Sequence, residues 1–130
     1  NLLINAADAI LSVEYHSKGK ISITSEVVPI VQAESEDHLN MLKISYIDNG
    51  SGISKENLGN IFDPFYTTKE PGKGTGLGLS VCFMIIQGIG GKIQARSEEG
   101  KGSTINIYLP LTTQAANGGM GKENLDVNDG

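Results

Sequence analysis

Residues 74–88 read GTGLGLSVCFMIIQG, in which alternating glycines run directly into a strongly apolar stretch. This stretch is predicted as a helix from Leu77 to Gly88, because glycines cluster where the apolar pattern ends. Backbone amides at a helix N-terminus lack intrahelical partners and attract anions. Alternating glycines also let a chain wrap closely around a polyphosphate. The stretch therefore indicates a phosphate-binding loop, and a purely structural glycine loop is the alternative.

Two other phosphate-binding patterns do not fit this stretch. A Walker A loop requires G-x-x-x-x-G-K followed by Ser or Thr, and the chain contains no such string. A dinucleotide fingerprint requires G-x-G-x-x-G after a strand, whereas this loop has G-x-G-x-G spacing and follows a polar segment. Lys69 and Lys73 lie just upstream, and each is either a phosphate ligand or an ordinary solvated lysine.

Outward from this helix, hydrophobic periodicity predicts an α+β domain. A helical stripe covers residues 1–15, and a weak helical turn is predicted at Lys55–Asn60. Alternating patterns predict four strands, at residues 20–27, 41–48, 92–97 and 103–109. The acidic connector between the first two strands is predicted as a loose hairpin loop. This element order makes a two-layer sandwich with helices on one face of an antiparallel sheet.

Length and composition exclude several classes of protein. The 130 residues suit one domain, predicted over residues 1–111, and the polar residues 112–130 are predicted as a disordered tail or linker. A net charge of −5 with one arginine argues against a nucleic-acid binder. The single cysteine, Cys82, excludes an intrachain disulfide and fits a reducing compartment. The longest apolar run, Val81–Ile86, is far shorter than the ~20 residues that span a bilayer.

Polar side chains interrupt the apolar stripe of the first predicted helix. Asn1, Asn5 and Asp8 are spaced i, i+4 and i+7, so they share one helix face. Asparagine is a poor helix former, and both a solvated helix edge and a polar row lining a pocket would account for it. In the second case an amide oxygen suits Mg²⁺, which binds through few protein atoms and keeps most of its waters.

A carboxylate followed by glycines ends the second predicted strand. Residues 47–53 read IDNGSGI, and Asp-Asn-Gly is common turn chemistry, so an ordinary turn is one interpretation. In the other, Asp48 accepts a hydrogen bond from an exocyclic amine, while Gly50 and Gly52 let a flat ring approach the backbone.

An aromatic cluster lies between the two glycine-rich regions. Residues 61–69 read IFDPFYTTK, and three of the seven Phe and Tyr residues fall within five positions there. A long loop that is flanked by glycines and carries an apolar anchor is how a closing lid is built. Residues 53–75 are therefore predicted as a mobile lid that a bound phosphate orders, with Phe62 and Phe65 as its anchor.

Taken in order, these features resemble the ATP-binding domain of sensor histidine kinases, within the Bergerat fold shared by gyrase, the heat-shock chaperone and mismatch-repair ATPases. The matching motifs are NLLINAADA (N box), DNGSGI (G1), IFDPFYTTK (F box), GKGTGLGLS (G2) and the closing strand GSTINIYLP. The resemblance covers about residues 1–110, and its lid and G2 region resemble kinases of the nitrogen-regulation type. It implies helices on one face of a mainly antiparallel mixed sheet, with an N-terminal helix and strand missing from this chain.

The resemblance also implies roles for individual residues. Asn5 is implied to bind Mg²⁺ with Asn1 nearby, Asp48 to accept from the adenine amine, and Ser103 to make a second, water-linked adenine contact. Catalytic roles are implied for Asn1, Asn5 and Lys69. The other implied nucleotide-binding residues are Asp8, Gly50, Gly52, Ile53, Phe62, Phe65, Lys69, Lys73, Gly74, Thr75, Gly76, Leu77, Gly78 and Leu79.

The activity implied by the resemblance is transfer of the γ-phosphoryl group of Mg·ATP to a histidine on the protein's own, separate dimerisation domain. A downstream response regulator, a homodimeric full-length protein and a cytoplasmic location are implied with it, and a membrane anchor on the full-length protein is compatible with it. Neither His16 nor His38 has the family's histidine-box context, so this chain alone is not expected to phosphorylate itself. Asn1 stands where hydrolysing relatives carry a glutamate base, which favours transfer over hydrolysis. The rival functions are an ATPase or serine kinase on the same fold, and a nucleotide-sensing module without catalysis.

Overall fold

The computed structural model describes residues 1–14, 18–31, 38–67, 69, 72 and 77–111. Its helices and strands are α1 (Leu2–Leu11), β1 (Ile21–Val31), β2 (His38–Asp48), α2 (Lys55–Leu58), α3 (Gly78–Gly88), β3 (Lys92–Glu98) and β4 (Gly102–Pro110). The predicted tail at 112–130 lies outside these residues. Within the described ranges, no helix combines the length and apolar character needed to cross a membrane.

The four strands form one sheet in the order β1-β2-β4-β3, and every described pair is antiparallel. The register places Asp48, the last residue of β2, opposite Ser103 at the start of β4. Ile21 of β1 lies opposite Asp48 on the other side. The predicted α+β fold with an antiparallel sheet is confirmed, and the sheet brings the end of β2 beside the start of β4.

The apolar core lies between the helices and one face of the sheet. Ile93 of β3 and Ile107 of β4 are paired and buried, and Ala6 is the buried residue of α1. On the opposite face, the buried Ser45 hydroxyl donates to Asn106 Oδ1 at 2.7 Å. Because side chains alternate along a strand, Ile93 and Ile107 face the helices, whereas Ser45 and Asn106 lie on the other side of the sheet.

The structure differs from the sequence predictions by three or more residues at three element ends. α1 ends at Leu11, where the Ser12 hydroxyl donates to the Ala9 carbonyl, instead of continuing to residue 15. The first two strands continue to Val31 and begin at His38, so they are longer than the alternating pattern indicates. Backbone pairing does not require side-chain alternation, and Pro29 is tolerated because β1 is the edge strand of the described sheet. The weak helical turn is α2, capped by the Ser54 hydroxyl.

Candidate functional site

A cavity of about 870 Å³ opens between α1, the helix-facing side of the sheet, and the segment that precedes α3. Its volume lies in the ~300–1,000 Å³ range of small-molecule sites. Nine of the residues singled out from the sequence line it: Asn5, Asp8, Asp48, Gly52, Ile53, Lys69, Gly78, Leu79 and Ser103. Residues that lie up to 98 positions apart in the chain therefore share one cavity.

Helix α1 contributes the polar row predicted from its spacing. Asn5 and Asp8 line the cavity, whereas Asn1 is not among the lining residues. The Asn1 side-chain amide donates to the Gly78 carbonyl at 3.3 Å, which links the start of α1 to the start of α3. The three polar residues thus have different positions: Asn1 is a link between helices, and the other two face the cavity.

The charged partner of Asp8 is Lys69, whose ammonium lies 2.5 Å from Asp8 Oδ2. The two side chains are 34% (Lys69) and 44% (Asp8) exposed, so solvent weakens the attraction. The pair joins α1 to the segment on the far side of the cavity, where Lys69 had been expected to meet phosphate. In this structure the Lys69 charge is therefore directed into the cavity mouth and balanced by a carboxylate of the same site.

Asp48 ends β2 with its side chain toward the cavity. The Gly50 amide donates to Asp48 Oδ1 at 2.9 Å, which orients the carboxylate. Among the described residues, no group donates to Oδ2. Ser103 is the Cα partner of Asp48 on β4 and lines the same cavity, so a carboxylate oxygen and a hydroxyl lie side by side.

The structure requires glycine at both positions 50 and 52 after Asp48, for a different reason at each. A Cβ at Gly50 would lie 2.6 Å from the Ala9 carbonyl carbon, so this glycine lets the turn pack against α1 rather than lining the cavity. Gly52 has a φ of +70° and lines the cavity, and a Cβ there would collide with the Glu98 carbonyl oxygen. Of these two glycines, Gly52 therefore belongs to the cavity, whereas Gly50 serves the packing of the turn on α1.

Two of the three aromatic residues of the predicted lid, Phe62 and Phe65, lie outside the cavity, whereas Tyr66 lines it. Phe62 stacks on Phe83 of α3, with ring centroids 5.6 Å apart and planes at 30°. Phe65 is 75% exposed and has a φ of +65°. Phe62 therefore pins the segment to α3, as an anchor would, whereas Phe65 makes no such contact with a described ring. Leu77 is the N-cap of α3 and does not line the cavity; Lys73, Gly74, Thr75 and Gly76 lie outside the described residues.

Several residues at or beside the cavity were not predicted from the sequence, and Tyr46 and Ser97 are two of them. Tyr46 lines the cavity two positions before Asp48, and strand alternation was the signal that could have found it. Ser97 of β3 is the Cα partner of Ser103, and its hydroxyl lies 3.0 Å from the Ser103 hydroxyl. Aligning the last two strands across their turn would have placed these serines opposite each other.

The polar groups that line the cavity suit a phosphorylated purine. It combines hydrogen-bond acceptors on the sheet, an ammonium group, and the amide-rich start of α3 near Gly78 and Leu79. The described residues contain no group of three or more His, Cys, Asp or Glu side chains that could hold a metal ion. The Asn5 amide oxygen is nevertheless a suitable single ligand for Mg²⁺, which takes much of its coordination from waters and substrate phosphates.

Comparison with known proteins gives a consistent result. The profile of the family described as histidine kinase-, DNA gyrase B-, and HSP90-like ATPase matches residues 1–113. Sensor kinase CckA of Brucella abortus is 41% identical over 115 residues, covering 85% of this chain and 12% of that protein. Sensor histidine kinase ZraS of Escherichia coli is 42% identical over 111 residues, covering 85% of this chain and 20% of that protein.

Among solved structures, a nucleotide-free catalytic domain of histidine kinase ThkA is 32% identical, with a TM-score of 0.58 over 84% of this chain and 59% of that one. The chain thus spans only 12–20% of the length of the two curated relatives it matches.

Proposed function

This chain belongs to the histidine kinase-, DNA gyrase B-, and HSP90-like ATPase family, and on that premise we propose that it binds Mg·ATP and transfers the γ-phosphoryl group to a histidine on a separate domain. The observation that carries the proposal is the single cavity lined by Asn5, Asp48, Lys69 and the start of α3. It offers one group for each part of the substrate: base, metal and phosphates. Residues 1–111 would form the catalytic domain, with 112–130 as a tail or linker.

In the proposed complex, adenine lies on the sheet side of the cavity. Asp48 accepts a hydrogen bond from the exocyclic amine, since its carboxylate is already oriented by the Gly50 amide. Gly52 and Ile53 line the floor beside it. A charge-assisted hydrogen bond of this kind is about twice as strong as a neutral one, so base recognition would depend mainly on this carboxylate.

The phosphates lie toward α3 and the segment that carries Lys69. The amides at the start of α3 and the Lys69 ammonium would neutralise phosphate charge, and Asn5 would supply one oxygen ligand to Mg²⁺. Bound Mg²⁺ supplies charge neutralisation at the phosphate oxygens. Lys69 is paired with Asp8 in this structure. When nucleotide binds, the Lys69 ammonium is therefore either shared between Asp8 and a phosphate or moves from Asp8 to the phosphate. The chain's own contribution to phosphoryl transfer is therefore positioning and electrostatic stabilisation.

Transfer to a histidine is favoured over hydrolysis by the chemistry of Asn1. Hydrolysis needs a group that accepts a proton from water. The Asn1 amide cannot act as that base, and its nitrogen donates to the Gly78 carbonyl. A histidine that receives the phosphoryl group does not need such a base, because the neutral nitrogen of its imidazole ring is itself a nucleophile. The proposed partners are a phosphoacceptor domain and a downstream response regulator. The full-length protein is proposed to be a cytoplasmic homodimer.

The test is to incubate the full chain with γ-labelled ATP, Mg²⁺ and a histidine phosphoacceptor domain, and to follow both label on protein and free phosphate. We expect an acid-labile, base-stable label on histidine, which is characteristic of a phosphoramidate. Release of phosphate without labelling would instead identify an ATPase, an acid-stable label would identify a serine kinase, and binding without turnover would identify a nucleotide sensor.

A further inference from the structure

The hydroxyl of Ser97 occupies the centre of a hydrogen-bond network beside the cavity. The Ile53 amide lies 2.7 Å from Ser97 Oγ, the Gly102 carbonyl 2.9 Å, and the Ser103 hydroxyl 3.0 Å. Ile53 follows the glycine turn and lines the cavity, and Ser103 lines it from β4. One side chain outside the cavity lining therefore connects two residues that belong to it.

The donors and acceptors of this network can be assigned from elementary chemistry. A hydroxyl has one proton to donate and two lone pairs to accept. The Ile53 amide can only donate, so Ser97 accepts there, and the Gly102 carbonyl can only accept, so the Ser97 proton is used there. The contact with Ser103 is then satisfied only if Ser103 donates to Ser97. Because the Ser103 proton is used in this bond, the Ser103 hydroxyl can only accept hydrogen bonds on its cavity side.

Ser103 and Asp48 then form a pair of acceptors on the sheet side of the cavity. They are Cα partners on neighbouring strands, so their Cβ atoms are about 5 Å apart on one face. The Gly50 amide already occupies Asp48 Oδ1, and a carboxylate cannot donate. The 6-amino group of adenine offers two protons, whereas the 6-oxo group of guanine or hypoxanthine offers none. A pair of hydrogen-bond acceptors therefore binds the 6-amino group of adenine and repels the 6-oxo group of guanine or hypoxanthine.

We infer that Ser97 is a positioning residue that sets base specificity by holding the Ser103 hydroxyl as a hydrogen-bond acceptor beside Asp48. This inference rests on the proposed function, since it names the base that the site selects. Without Ser97, the Ser103 hydroxyl is free to rotate and to donate to a 6-oxo group. Ser97 thus affects which purine binds, although it does not line the cavity itself.

The test compares ATP with inosine triphosphate, which carries a 6-oxo group in place of the 6-amino group. Dissociation constants for both are measured by calorimetry with the full chain and with S97A, S97T and S45A. We expect the parent to prefer ATP, S97A to reduce that preference about two- to tenfold, and S97T to restore it because the hydroxyl is retained. S45A is the matched control, since Ser45 bonds Asn106 on the opposite face of the sheet.

The outcomes separate this inference from the proposed function. A parent that binds ATP tightly, together with an S97A variant that binds both nucleotides less well in equal proportion, would show a merely structural role and overturn the inference. The same holds if S45A changes the preference as much as S97A does. Binding of ATP by the parent with no preference over inosine triphosphate would overturn the inference and leave the proposed function standing. A parent that binds neither nucleotide would overturn the proposed function, and the inference with it.

Discussion

Individual side chains in the cavity have different local surroundings, so we expect them to have separable tasks. Asp48 is oriented by the Gly50 amide, Lys69 is paired with Asp8, and Asn5 faces the cavity from the middle of α1. A substitution at one of these positions should therefore change one part of nucleotide recognition and leave the others intact. Two predictions follow this separation.

Asp48→Ala should weaken ATP binding by about 1.5–3 kcal/mol, because a charge-assisted hydrogen bond to the base is lost. The measurement is isothermal calorimetry of ATP binding. Glu26→Ala is the matched control, since it also removes a strand carboxylate, but one that pairs with Lys43 on the opposite face of the sheet. Equal ATP affinity for Asp48→Ala and the parent would rule out adenine recognition by Asp48.

Asn5→Ala should abolish phosphoryl transfer while leaving the binding of metal-free nucleotide nearly unchanged. The reason is that the amide oxygen is proposed to act on Mg²⁺ and not on the base or phosphates. Transfer to a supplied histidine domain and calorimetry in EDTA are the two measurements. Asn57→Ala, on α2 and outside the cavity lining, is the control. A parental transfer rate in Asn5→Ala would disprove the metal role.

At the scale of elements, three contacts of the described residues between β2 and α3 bear on whether this segment can open. They are the hydrogen bond from the Ile53 amide to Ser97, the stacking of Phe62 on Phe83, and the ion pair of Lys69 with Asp8. The last of these is a partly exposed ion pair, worth no more than about 1 kcal/mol. We therefore expect the contact at Lys69 to open before the contacts at Ile53 and Phe62.

The amides of Tyr66 and Lys69 should exchange hydrogen quickly in the free protein and more slowly with Mg²⁺ and a non-hydrolysable ATP analogue. Phosphate offers Lys69 a stronger partner than Asp8 does, and binding selects the closed arrangement. Hydrogen exchange followed by mass spectrometry is the measurement, with ADP expected to protect less than the analogue does.

Asp8→Asn provides the internal comparison for this experiment. It removes the ion pair, so exchange at Tyr66 and Lys69 in the free protein should become faster still, while the amide of Ile53 should be unaffected. Equal protection of the segment with and without nucleotide would mean that it is a rigid cover and not a lid.

On the scale of the whole molecule, stability depends on the contact between the helices and one face of the sheet. Ile93 and Ile107 are buried partners at this interface, whereas Ile47 on the other face is 39% exposed. The cavity lies in the same layer as this core. Cavity shape and domain stability are therefore linked through the packing of α1 and α3 on the sheet.

Ile107→Ala should lower the free energy of unfolding by about 2–5 kcal/mol, the usual cost of emptying a buried site. Ile47→Ala removes the same atoms from a half-exposed site and should cost well under half as much. Urea unfolding followed by circular dichroism gives both values. Similar losses for the two variants would show that the helix-facing side of the sheet is not the main core.

The order of elements, the helix that follows the glycine loop, and the carboxylate at the end of the second strand were determined by the sequence itself. These features depend on periodicity, capping and turn chemistry, which act over a few neighbouring residues. The hairpin ends were not predictable in this way, because backbone pairing carried β1 and β2 past their alternating patterns.

Only the tertiary structure decided which distant residues meet. Lys69 forms an ion pair with Asp8, which is 61 positions away in the chain. Phe62 stacks on Phe83, and Asn1 donates a hydrogen bond to the Gly78 carbonyl. Each of these contacts depends on how α1 and α3 pack over the sheet, and no local pattern encodes that packing. Likewise, the strand register that puts Ser103 between Asp48 and Ser97 was decided by pairing across three strands. Long-range contacts are products of the whole packed fold, and for this reason the sequence could predict many of the residues that line the cavity but not the partners that orient them.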